Sequence, residues 1–153
     1  MTQEIRALSV ISGGLDSILA TRIVMDQGVD VTAIHFVSPF FGSHEGALSR
    51  RMAERYGIRA ETVDVGDSYV KMLASPQYGY GKNFNPCVDC KILLFSTARA
   101  MMERFGARFL VTGEVLGQRP MSQRRDTLRI IERDSETSGL LLRPLSAKLL
   151  KPT

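Results

Sequence analysis

Apolar residues along this chain fall into short runs and helical stripes that alternate. Ala7-Leu8-Ser9-Val10-Ile11 is a brief apolar run that stops at Ser12-Gly13-Gly14, the pattern of a strand buried on both faces. Leu15, Ile18, Leu19, Ile23 and Val24 then recur three or four residues apart, which predicts a helix over 15–27 ended by Gly28. A second strand is expected over 31–37, with Pro39 and Gly42 opening a loop. A second helix follows over 45–56, with Leu48, Met52 and Tyr56 on one face, then a third strand over 60–65 and a short helix near 67–74. Residues 76–86 are rich in glycine and aromatics and form the longest irregular stretch, a length that in a compact domain points to function or mobility. A strong helix is expected over 87–105 with Leu94, Ala98, Met101 and Phe105 inward. A strand over 109–112, a helix over 121–134 and a strand over 140–143 complete the series.

Strands alternating with helices predict an α/β, doubly wound, five-stranded parallel sheet with helices on both faces, Rossmann-like, as one domain over 1–153. In such sheets ligands sit beyond the carboxyl ends of the strands. Three segments fall there: Ser12 to Ser17 after the first strand, His35-Phe36 closing the second, and Thr112-Gly113-Glu114 after the fourth.

Composition changes this picture little. Hydrophobic residues are 44% and charged residues 24%, ordinary for a soluble domain. No apolar run reaches bilayer length, so no membrane partner is expected. Met1-Thr2-Gln3-Glu4 is acidic where a secretory signal is basic, which places the chain in the cytoplasm. A net charge of +4 leans toward a polyanionic partner, but many basic domains have none.

The corner Ser12-Gly13-Gly14-Leu15-Asp16-Ser17 carries the clearest chemistry. Two glycines let backbone amides approach a phosphate, and the helix that follows presents unpaired N–H groups. Ser12 and Ser17 add hydroxyls. Asp16 repels bare phosphate, so its expected task is to hold Mg²⁺. The corner lacks the Gly-Lys-Ser/Thr of a Walker loop and the spacing of a dinucleotide fingerprint. As a mere strand-turn-helix corner, five such fixed residues would arise by chance roughly a few times in ten thousand chains of this length.

Asn85-Pro86-Cys87-Val88-Asp89-Cys90-Lys91 stands where the long loop meets a helix. Asn85 suits a cap and Pro86 a first turn. Cysteines in a first turn feel the helix dipole, and Lys82 or Lys91 adds positive charge, so both influences favour thiolate. The pair can carry a persulfide, exchange with a disulfide, ligate metal, or be inert. Zinc needs four ligands, and His35 and His44 are the only histidines. An iron–sulfur cluster needs thiolates or other ligands from elsewhere.

The first motif resembles the loop of N-type ATP pyrophosphatases, the adenine nucleotide alpha-hydrolase-like superfamily. Together with the cysteine stretch, with 112–123 and with Leu142-Arg143-Pro144-Leu145-Ser146-Ala147-Lys148, it is similar to tRNA thiolation enzymes, the 4-thiouridine and 2-thiouridine synthases, over nearly the whole chain. The resemblance implies ATP and Mg²⁺ held by Ser12, Gly13, Gly14, Leu15, Asp16 and Ser17, with His35, Phe36, Thr112 and Gly113 around the nucleotide. It implies substrate contacts from Lys91, Glu114, Gln118, Arg119 and Gln123, catalytic roles for Asp16, Cys87 and Cys90, and tRNA and a sulfur donor (a persulfide carrier or sulfide) as partners. A uridine carbonyl would be adenylated and its oxygen replaced by sulfur, held on Cys87, on Cys90, or on an iron–sulfur cluster. Thr112-Gly113-Glu114 departs from the Thr-Gly-His of 2-thiouridylases, and the third cysteine of cluster-bearing members is missing. Lys151-Pro152-Thr153 follows what reads as a linker, which suits the N-terminal part of a longer protein. A homodimer stays open.

Two other functions keep the same loop: an amidating ligase, in which thiolates have no task, and a nucleotide-binding module without catalysis, in which Asp16 has none. Arg125, Arg129 and Arg133 form a stripe that suits tRNA phosphates or a solvated face balanced by Asp126, Glu132 and Asp134. Tyr78, Tyr80 and Phe84 suit base stacking or loop anchoring.

Overall fold

The computed structural model describes residues 4–41 and 45–152, without the side chains of 45–48 and Lys82. Gly42, His44 and the side chains of Leu48 and Lys82 lie outside the described residues. Five strands form one parallel sheet: β1 (Arg6–Ile11), β2 (Asp30–Val37), β3 (Arg59–Asp64), β4 (Phe109–Thr112) and β5 (Leu141–Leu142), in the order β3-β2-β1-β4-β5. The helices are α1 (Leu15–Met25), α2 (Glu45–Arg55), α3 (Gly66–Ala74), α4 (Cys87–Phe105) and α5 (Arg125–Asp134), with short 3-10 turns at Lys82–Phe84 and Pro144–Ser146.

Strand alternation distributes the core to two faces. Leu8, Ile34, Phe36 and Leu110 pack with Phe95, Ala98 and Ile131 of α4 and α5. Ala7, Val31 and Val111 pack with Ala20 and Val24 of α1, and Ile11 and Ala33 with Ile18 of α1 and Ala53 of α2. Helices therefore cover both faces, as the sequence pattern requires. The chain runs from β1 outward to β3, then returns to β4 on the other side of β1. The connection reverses between β1 and β4, and a crevice opens at the carboxyl ends of those strands.

One element begins later than its periodicity suggests. The helix expected from 121 starts at Arg125, because Gln123 closes a backbone ring instead. Its carbonyl accepts the Gly117 N–H at 2.8 Å and its own N–H reaches Arg119 O at 3.3 Å. Asn85 does not cap α4. Pro86 stands at the N-cap, and its carbonyl accepts the Cys90 N–H at 2.8 Å. Among the described residues, no helix is long and apolar enough to cross a membrane.

Candidate functional site

A cavity of about 420 Å³ occupies the crevice, a size suited to a small-molecule ligand. Ser12, Gly14, Leu15, Asp16 and Ser17 line it from the β1–α1 corner, His35 and Phe36 from β2, and Thr112, Gly113 and Glu114 from β4. Lys91 of α4 and Gln118, Arg119 and Gln123 of the loop after β4 complete the polar wall. The sequence-predicted residues thus converge, with Gly13, Cys87 and Cys90 outside the lining. Phe41, Leu94 and Phe95 add an apolar wall whose role the sequence did not signal.

The corner is shaped by close backbone approach. Gly13 has φ +82°, and a Cβ there would meet the Ser49 side chain and approach its Cα to 3.0 Å. Ser49 of α2 also donates to Ser12 O at 3.1 Å, so α2 buttresses the turn. Ser17 Oγ donates to Gly14 O at 2.9 Å and accepts the Ser12 N–H at 3.3 Å. Ser17 therefore shapes the turn with its hydroxyl. The first N–H groups of α1 have no helical partners and open toward the same end of the sheet. A Cβ on Gly113 would lie 2.5 Å from Ser17 N and 2.6 Å from the Asp16 carbonyl carbon. Only a glycine lets β4 press directly on the loop backbone.

Glu114 is buried and engaged. It pairs with Lys91 Nζ through Oε1 and accepts from Arg143 Nε at 2.8 Å through Oε2. Arg143 in turn pairs with Glu132. A row of alternating charges, Lys91–Glu114–Arg143–Glu132, thus runs inward from the cavity wall. Both carboxylate oxygens are committed, which fits Glu114 as the group that positions Lys91 rather than as a Mg²⁺ ligand.

Two buried acceptors are orphaned. His35 Nδ1 lies 3.2 Å from Ile11 O, a carbonyl that only accepts, so Nδ1 carries the proton and Nε2 is left as an acceptor without a partner. Gln123 Oε1 is likewise buried and unmatched. Both residues line the cavity, and unmatched buried acceptors call for ligand donors.

Cys87 and Cys90 open α4, both partly buried and unbridged. Cys87 and Lys91 are four apart, hence neighbours along one helical stripe, of which Lys91 lines the cavity. Burial pushes the Cys90 thiol up to about 11, with the neighbouring Cys87 adding to the rise and Lys91 opposing it least strongly. The expected thiolate character thus fails at Cys90, because desolvation outweighs the nearby cation. No group of three or more His, Cys, Asp or Glu gathers as a metal site among the described residues. Two thiols alone do not fit an iron–sulfur cluster.

The loop before α4 is pinned by side chains. Asp89, between the cysteines, accepts the N–H groups of Gln77 and Tyr78 at 2.8 and 2.9 Å. Tyr80 donates to Leu73 O at 2.6 Å, and Tyr78 bonds Asp134. Asn83 and Phe84 hold left-handed φ of 58° and 57°, and Phe84 is 81% exposed. The arginine stripe of α5 divides: Arg133 turns to Asp134 and Tyr78, while Arg125 and Arg129 face a second cavity.

The sheet order, the corner after β1 and the crevice at the strand reversal define a doubly wound α/β domain with a cavity at the topological switch point. The chain belongs to the family described as Thiamine biosynthesis protein (ThiI), whose model matches residues 2–148. It is 34% identical over 152 residues to a tRNA sulfurtransferase of Sodalis glossinidius (strain morsitans), covering 94% of this chain and 29% of that protein. It is also 34% identical over 152 residues to a probable tRNA sulfurtransferase of Staphylococcus aureus (strain Newman), covering 92% and 34%. The chain thus spans about a third of the curated relatives it matches. The predicted subunit of a tRNA methyltransferase from Methanocaldococcus jannaschii DSM shares the fold, at TM-score 0.64 and 15% identity, over 92% of this chain and 68% of that one.

Proposed function

We propose that this chain is the ATP-using domain of a tRNA sulfurtransferase. The observation that carries the reading is the convergence of the Ser12–Ser17 corner, Lys91 and the orphaned acceptors of His35 and Gln123 on one cavity, with Cys87 one helical turn from Lys91. The triphosphate lies against the amides at the start of α1, where the helix dipole favours anions. His35 Nε2 and Gln123 Oε1 take donors from the nucleoside. Asp16, which lines the cavity, would hold Mg²⁺, and the ion would supply charge neutralisation at the phosphates. Lys91, fixed by Glu114, stands against the phosphate charge that develops in the transition state.

The chemistry needs a leaving group, because a uracil carbonyl oxygen does not depart by itself. The carbonyl oxygen attacks the α-phosphorus, the bond to the β-phosphate breaks, and pyrophosphate leaves. A persulfide on Cys87, loaded by a sulfur donor, attacks the activated carbon with its outer sulfur, and AMP departs with the C–O electrons. Cys90 then attacks Cys87 Sγ, and its proton passes to the sulfur that leaves Cys87. The S–S bond breaks toward the new thiouridine, and an external thiol later reduces the Cys87–Cys90 disulfide. A neutral Cys90 suits this order, since it does not compete for the donor's sulfur. This order also gives the thiols a task, which amide formation or simple nucleotide binding would not.

Pyrophosphate release measured with ATP, Mg²⁺ and bulk tRNA tests the reading. Release that requires tRNA and disappears in Asp16→Ala supports it. Release driven by ammonia instead, or a chain that fails to bind ATP, refutes it.

A further inference from the structure

A second cavity, about 260 Å³, opens along the free edge of the sheet between α5, β5 and the segment at 147–152. Its charges are lopsided. Arg125, Arg129, Arg143 and Lys151 line it against one carboxylate, Glu132, and that carboxylate is already paired with Arg143. Arg129 and Lys151 are exposed and make no ion pair among the described residues. Arg125 donates to Leu149 O at 2.9 Å, which fixes the wall of the cavity. Arg143 has a side chain only 3% exposed, and its Nη2 is buried with no hydrogen-bond partner. A buried guanidinium donor left unmatched is costly, and an anion is the chemistry that satisfies it. Beneath the cations the floor is apolar, from Leu128, Leu141 and Leu150.

We infer that this cavity takes a phosphodiester unit of the RNA substrate: phosphate oxygens on the cations, with the sugar and base edge over the leucines. The inference rests on the tRNA reading above and adds a place where the RNA backbone is gripped, away from the nucleotide cavity. Arg143 belongs also to the charge row that ends on Lys91, so ion pairs connect this cavity to the wall of the first.

The test is labelled bulk tRNA binding to the full chain across a salt series. Neutralising Arg129 and Lys151 (Arg129→Gln with Lys151→Gln) is compared with the equal charge loss Arg104→Gln with Arg108→Gln at the opposite end of the sheet. The first pair is expected to weaken binding about tenfold or more at low salt and to reduce the slope of log affinity against log salt by about two, while the second pair moves both far less. Both surface pairs leave ATP binding intact, so failure of the nucleotide reading is seen separately. In parallel, inorganic phosphate is expected to shift the amide resonances of Gly139 and Leu141 in the unaltered protein but not in the first pair. Equal effects of the two pairs, no effect of the first, or no binding of tRNA by the unaltered chain overturns the inference.

Discussion

Glu114 and Arg143 form an ion pair with both side chains 3% exposed, and the remaining carboxylate oxygen is held by Lys91. A carboxylate so placed is useful only while both cations face it. Replacing Glu114 by Gln strips Lys91 of its carboxylate and leaves buried Arg143 with Glu132 alone, so the expected cost lies toward the low end of the about 3–5 kcal/mol for breaking a buried pair. Urea unfolding is expected to show a loss of that order. A milder Glu114→Asp is expected to keep the fold while displacing Lys91, so that the KM for ATP or kcat changes more than stability does.

Gly113→Ala tests the contact between β4 and the loop. The added methyl would fall 2.5 Å from Ser17 N, against backbone rather than a flexible side chain. We expect about 1–3 kcal/mol of destabilisation from overpacking. We also expect ATP affinity, read by calorimetry, to fall about tenfold or more. Retained affinity with lowered stability alone would separate packing from ligand positioning.

Asp16→Asn preserves size and removes the negative charge. Thermal stability is expected to change little, since Asp16 is partly exposed and enters no ion pair among the described residues. Pyrophosphate release at saturating ATP is expected to drop on the order of a hundredfold, with the dependence on Mg²⁺ concentration flattened. Stopped-time product assays across a Mg²⁺ series check both.

The raised Cys90 thiol gives a pH dependence with a definite sign. Its folded value lies near 11, above its unfolded value, so both states bind the proton at neutral pH and the folded state keeps it longer as pH rises. Stability owed to the neutral thiol is intact below the unfolded value and is lost as pH climbs through 9 toward 11. Cys90→Ala is expected to blunt this alkaline loss relative to the unaltered chain in denaturant titrations at pH 8 and 10.5. Iodoacetamide labelling followed by mass spectrometry is expected to modify Cys90 slowly at pH 7 and steeply faster above pH 10.

Phe84 is an exposed aromatic held in a left-handed conformation just ahead of the cysteines. Local strain of this kind costs of order 1–3 kcal/mol and is retained where the surroundings impose it. Phe84→Gly relieves the backbone and deletes the ring. We expect a modest gain in stability together with a several-fold rise in KM for tRNA, the signature of a lost stacking surface. An unchanged KM assigns the ring no part in binding.

Most of the architecture was legible because parallel α/β sheets write their plan in period. The short apolar runs at 7–11 and 109–112 and the long stripe of 87–105 give their elements nearly to the residue. The start of α5 was not legible. Met121 stands seven residues before Leu128, at helical spacing, and the tertiary ring between Gly117 and Gln123 keeps the helix from starting there. Tyr56 was expected on one helical face with Leu48 and Met52, yet α2 ends at Arg55 and Tyr56 is exposed while Ala53 and Ile58 are buried. The site was legible where motif residues cluster by local turn geometry, as at 12–17. Glu114's neutralisation was not, because Arg143 comes from β5's end, 29 residues on, and spacing does not reveal it. Nor does sequence reveal that Cys90 is desolvated enough to defeat its flanking lysine.

The double acceptance of Gln77 and Tyr78 N–H groups by Asp89 has a mechanical result. It stitches the cysteine-bearing turn to residues twelve and eleven positions upstream of Asp89, so the loop and the helix start share one anchor. Asp89→Ala removes both acceptances at once and unties the backbone at 77–78 from the first turn of α4.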